Sequence, residues 1–153
     1  MNGAQLHLLI NHFPVVGFPI IAFAFFYALV RKQESVEMFA YILTIGVWIT
    51  GLISYLTGDG AEEVLKVLPG FSEELIHQHE DQALISLIVT GIAGVLALTM
   101  LPPIRQRLKV LQSQSFAKFA RLVFGVAILV GCAGFAYAAH KGGLIRHTEI
   151  RPA

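Results

Sequence analysis

Four apolar runs, separated by short polar segments, constrain this chain more than any other feature: residues 6–30, 36–57, 72–101 and 116–140. A helix needs about 20 residues to cross a hydrocarbon core of ~30 Å, and each run supplies that. With 14% charged residues and a mean hydropathy of +0.69, the chain falls far short of the ~25% charge of a soluble domain. These observations predict one all-α domain over residues 1–153, an integral membrane four-helix bundle in the lipid bilayer. Residues 1–5 carry no Lys or Arg, and the run after them is too long for a signal-peptide core, so it reads as a membrane helix. The net charge of +1 gives no reason to expect a nucleic-acid partner.

The punctuation between runs is legible. Pro14 is either a helix-start proline or a kink, and Pro19 adds a second kink. The phenylalanine-rich stretch from Phe18 to Tyr27 faces lipid in part. Gly58-Asp59-Gly60 is expected to end the second helix as a glycine cap. Residues 61–68 alternate charged and apolar side chains and predict a short interfacial helix before Pro69-Gly70. Ser72 reads as the N-cap of the third helix, with Glu73 and Glu74 in its first turn. Pro102-Pro103 stops that helix, and Gly142-Gly143 is expected to stop the fourth.

Charge sets an orientation. The first and third loops, with adjoining helix ends, hold Arg31, Lys32, Arg105, Arg107, Lys109, Lys118 and Arg121 against Glu34 and Glu37. The other end holds most of the acids. Positive charge marks the cytoplasmic side, so both termini and the second loop are expected outside, at the periplasmic face of an inner membrane.

All six histidines fall on that outer side: His7, His12, His77, His79, His140 and His147. Ionisable groups at the membrane edge are costly and point to function. In helical phase with His79 run Ala83, Ser86, Thr90, Ala93, Gly94 and Ala97, a small-residue stripe that admits a close neighbour. His79 is thus expected to point inward and His77 outward. His7 and His12, five apart, cannot share one face well. His12 is the better inward candidate by depth, and the pattern around His140 is indecisive.

Neutral imidazole ligates haem iron, copper and zinc. Two histidines facing across a bundle can hold a b-type haem, since no Cys-x-x-Cys-His is present for covalent attachment. Candidate ligands are His7, His12, His79 and His147. Arg146, Lys141 or Arg151 would pair with the propionates, and Glu80 and Glu149 would orient a ligand imidazole. The same histidines, with Glu80, would equally hold copper or zinc. A third possibility is a structural or assembly subunit with interfacial histidines; the small residues also permit a homodimer. No catalytic set is assigned: Cys132 lies within an apolar run, Ser72 reads as a cap, and Glu62 and Glu63 read as solvated acids. Gly131 and Gly134 read as helix-packing positions, and Trp48 as packing or lipid-facing. No ion pathway is expected, because no charge lies mid-membrane.

Leu6-His-Leu-Leu-Ile-Asn-His-Phe-Pro14 resembles the opening motif of a family of small, uncharacterised bacterial four-helix membrane proteins. The resemblance extends to Thr57-Gly-Asp-Gly-Ala-Glu-Glu63, to His79-Glu80, and to the stretch from Gly142 to Arg151. It implies His7, His12, His79 and His147 as the matching positions, with Glu80 and Glu149 beside them. Related domains resemble ones found beside Rieske or c-type cytochrome modules, which implies a redox setting and a redox partner of that kind.

Overall fold

A computed structural model describes residues 2–151, with helices and no strand among them. The first span joins α1 (Gly3–Ile10) to α2 (His12–Arg31), and the second joins α3 (Glu34–Leu56) to α4 (Gly58–Leu65). The third span is α5 (Glu73–Met100). After the short α6 (Pro102–Arg105) and a single 3-10 turn at Lys109–Gln112, the fourth span is α7 (Gln114–Arg146). All four spans are long and apolar enough to cross a membrane. The chain is therefore an all-α, multi-pass four-helix bundle.

The helices start where the sequence supplies caps. Asn2 forms a capping box with Gln5, Ser72 accepts from the Leu75 N–H, and Ser113 accepts from the Phe116 N–H at 3.2 Å. Pro14 lies in the first turn of α2, where a missing N–H costs little, and Pro19 lies inside that helix.

Two glycine stops differ from expectation. At Gly58 the chain breaks only at Thr57 and resumes at once as α4, three residues earlier than the pattern suggested. The glycine that close approach requires is Gly3 on the facing helix: α1 packs on α4, and a Cβ on Gly3 would overlap the Gly60 backbone. Likewise α7 runs through Gly142-Gly143 to Arg146. The cost of glycine inside a helix is modest, ~1 kcal/mol each, and packing by the buried Leu144 offsets it. The last carbonyls, of Leu144 and Ile145, accept from the Arg151 guanidinium at 2.8 and 2.9 Å.

The long helices close a ring: α2 packs on α3, α3 on α5, α5 on α7, and α7 on α2. Phe18 stacks on Phe135 at 5.3 Å, and Phe25, Tyr41 and Phe124 form a second aromatic group. Phe18 and Phe25 are fully buried while Phe23, Phe26 and Tyr27 are exposed, so the phenylalanine-rich stretch divides between core and periphery. Small residues let α5 and α7 approach. The stripe Ser86, Thr90, Ala93, Gly94 and Ala97 is buried, and the Ser86 and Thr90 hydroxyls donate to carbonyls one turn back. Trp48 is half-buried, its indole N–H donating to the Leu87 carbonyl at 3.0 Å.

The end opposite the histidines holds a buried ion pair that counting loop charges did not reveal. Glu37 accepts from Arg121 Nε at 2.7 Å, from Arg121 Nη2 at 3.1 Å and from the Tyr41 hydroxyl at 2.6 Å. It ties α3 to α7 across the bundle. Removing one partner of a buried pair costs ~3–5 kcal/mol; here the Arg121 side chain retains 38% exposure, which lowers that to about 2–4 kcal/mol. Arg121→Leu is expected to lose that much in reversible unfolding in mixed micelles. Glu37→Leu/Arg121→Leu together are expected to lose less than the single change, because no charge is then stranded.

Candidate functional site

Two histidines meet where α1, α3, α5 and α7 converge. The His79 ring lies between α5 and α7, and its Nδ1 is 2.8 Å from the Ala138 carbonyl. His7, on α1, places its Nδ1 3.0 Å from the Ser54 carbonyl and 3.4 Å from Thr57 Oγ1. A carbonyl oxygen can only accept, so each Nδ1 carries a proton, and a neutral ring in this tautomer has its lone pair on Nε2. Among the described residues, neither Nε2 has a hydrogen-bond partner. The ring centres are 6.3 Å apart and the planes cross at 79°.

Glycine makes room for this arrangement. A Cβ on Gly142 would lie 3.1 Å from His79 Cε1 and 3.2 Å from its Nδ1. The glycine expected to end a helix instead forms the wall against which a ring is held. On the α1 side, the break at Asn11 separates His7 from His12. His7 faces α3, while His12, at the start of α2, is exposed and hydrogen-bonds only back across the break, Nδ1 to the Leu8 carbonyl of α1 at 2.8 Å. The structure thus brings His7 rather than His12 to His79, because the packing of α1 on α4 and α3 sets the phase.

The remaining candidates sit elsewhere. His147 is exposed in the tail, its Nδ1 2.8 Å from Glu149. The Glu149 carboxyl is held below the usual carboxylate range by its own backbone N–H and by His147. His77 is exposed, as its phase predicts, between Glu73 at 3.7 Å and Glu80 at 4.0 Å. Glu80 is therefore near His77, and backbone carbonyls rather than carboxylates orient the two inward rings. His140 is exposed. Lys141 is engaged with Gln78 at 2.8 Å, and Arg151 with the carbonyls of Leu144, Ile145 and Gly70. Arg146 is exposed and makes no ion pair among the described residues.

Sequence reasoning missed Ser54, Ala138 and Gly142. The first two act through backbone carbonyls, which side-chain pattern does not reveal. Gly142 carried a signal, a glycine pair beside histidines, that reads equally as a stop. The stretches beginning at Leu6, Thr57, His79 and Gly142 nonetheless meet here: His7 touches Thr57 and faces His79, which rests on Gly142.

The ring separation can be set against that of two imidazoles sharing one metal. Metal–imidazole bonds of ~2.0 Å, with about 1 Å from each nitrogen to its ring centre, put two ligands on opposite sides of one metal roughly 6 Å apart, centre to centre. The observed separation matches this, and the protonated Nδ1 atoms leave the correct nitrogens free. A zinc site needs four ligands in a tetrahedron. No group of three or more His, Cys, Asp or Glu able to hold an ion occurs among the described residues. No protein-family model matches the chain, and no curated protein or solved structure shows detectable similarity to it.

Proposed function

We propose that this protein is a membrane b-type haem protein that transfers electrons, with His7 and His79 as the residues that would hold the haem. The observation that carries the reading is the pair itself: two inward imidazoles 6.3 Å apart, each anchored through Nδ1 to a backbone carbonyl. Bare copper or zinc on the same residues needs further ligands that the pair does not bring. A haem would ask the protein for no more than two such ligands, and when bound it would supply a one-electron couple.

The chain's own residues do the rest. The Ser54 and Ala138 carbonyls fix the tautomer and orientation of each ring. Gly142 sets how closely α7 approaches His79. Exposed Arg146 is the cation free to meet a propionate. By its basic loops the protein sits in an inner membrane with the histidine end toward the periplasm, where a cytochrome or Rieske-type protein would exchange electrons with it.

The test is an absorption spectrum of the purified protein in detergent, before and after dithionite. A Soret band that shifts and sharpens on reduction, with resolved α and β bands, is the expected result. A featureless spectrum from protein made with ample haem rejects the haem reading. Stoichiometric copper or zinc in that protein would favour an ion, and neither would favour a structural subunit.

A further inference from the structure

A second feature, at the end opposite the histidines, lies outside the haem reading. Along the outside of α2 runs a shallow groove of ≈ 430 Å³ lined by Ala22, Phe23, Phe26, Tyr27, Val30 and Arg31. Its walls are apolar and largely aromatic, with Phe23 and Tyr27 stacked at 6.2 Å. Phe23 is 75% exposed and Val30 79% exposed, so nothing among the described residues covers it. One polar group closes it, the guanidinium-bearing Arg31 in the last turn, followed by Lys32 as the helix cap.

Length and charge identify an occupant. From Ala22 to Arg31 the helix rises ~14 Å at ~1.5 Å per residue, close to half of a ~30 Å hydrocarbon core. The groove therefore spans one leaflet, apolar along its length and cationic where headgroups begin. Arg31 and Lys32 form no ion pair among the described residues. In the same end of the bundle Arg107, Lys109 and Lys118 are also exposed, and the one acid buried there, Glu37, is taken by Arg121.

We propose that this groove is a binding site for an anionic phospholipid, an acyl chain lying along Phe23, Phe26 and Tyr27 with its phosphate on Arg31. Native mass spectrometry in mild detergent, titrating phosphatidylglycerol against phosphatidylcholine, tests it. The wild-type chain is expected to retain one phosphatidylglycerol in preference to phosphatidylcholine. A cation near an anionic headgroup is worth roughly fivefold in binding, so Arg31→Gln should lower that preference about fivefold, and Arg31→Lys should restore most of it. Phe23→Ala should weaken retention of both lipids, and Arg107→Gln should leave the preference unchanged. Equal retention of the two lipids by wild type, or equal loss in Arg31→Gln and Arg107→Gln, would overturn the site. Displacement of the lipid by millimolar inorganic phosphate would overturn it as well, by showing a free-anion site.

Discussion

His79→Ala, expressed with ample haem and purified folded, is expected to show no reducible Soret band. His79 is the ring held most firmly, by the Ala138 carbonyl on one side and by the closeness of Gly142 on the other. Removing it takes away one of two protein ligands and opens a space on the far helix. His7→Ala should lose the low-spin spectrum too, since a single axial imidazole leaves the metal without its second strong ligand. His12→Ala and His147→Ala should keep the wild-type spectrum, because the first ring is exposed and bonded only back to the Leu8 carbonyl and the second is paired with Glu149 in the tail. Small external imidazole added to His79→Gly is expected to restore part of the low-spin signal. Full retention in His79→Ala would remove His79 as a ligand. Gly142→Ala gives a graded companion: its Cβ, 3.1 Å from His79 Cε1, asks the ring to shift by a few tenths of an ångström. Haem retention should fall without vanishing.

Much of this site was written in helical phase, and the rest was not. The buried stripe below His79 follows from 3.6-residue spacing, because α5 is one uninterrupted helix and phase carries along it. Phase fails at a break. Asn11 interrupts the first span, so depth favoured His12 while the separate packing of α1 turned His7 inward. Pattern also cannot separate two uses of glycine. At Gly142 the absent side chain admits a neighbour, the His79 ring, and the helix continues through it. The Glu37–Arg121 pair was hidden for a related reason. Counted as loop charges, the two residues define an inner side; only the folded bundle shows that they pair, with Glu37 buried.

A large loss of stability is also expected at the contact between α5 and α7, the most extensive in the bundle. Gly131 faces Thr90, and a Cβ there would overlap the Thr90 methyl. Thr90 has little freedom to yield: it is fully buried, β-branched, and its hydroxyl donates to the Ser86 carbonyl at 2.8 Å. Overpacking a rigid contact costs ~1–3 kcal/mol, and more when backbones must separate. Gly131→Ala is expected to lose about 2 kcal/mol in mixed-micelle unfolding and Gly131→Val roughly 3 kcal/mol or more, by the same overpacking. The cause can be isolated. Thr90→Ser removes the methyl and keeps the hydroxyl, so Gly131→Ala/Thr90→Ser should recover most of what Gly131→Ala alone loses, a strong coupling in a double-mutant cycle. Simple additivity would instead place the cost in the lost conformational freedom of Gly131 itself. Because the same helix pair holds His79 against Ala138 and Gly142, Gly131→Val should also weaken haem retention in the folded fraction. The rescued double variant should regain both stability and spectrum.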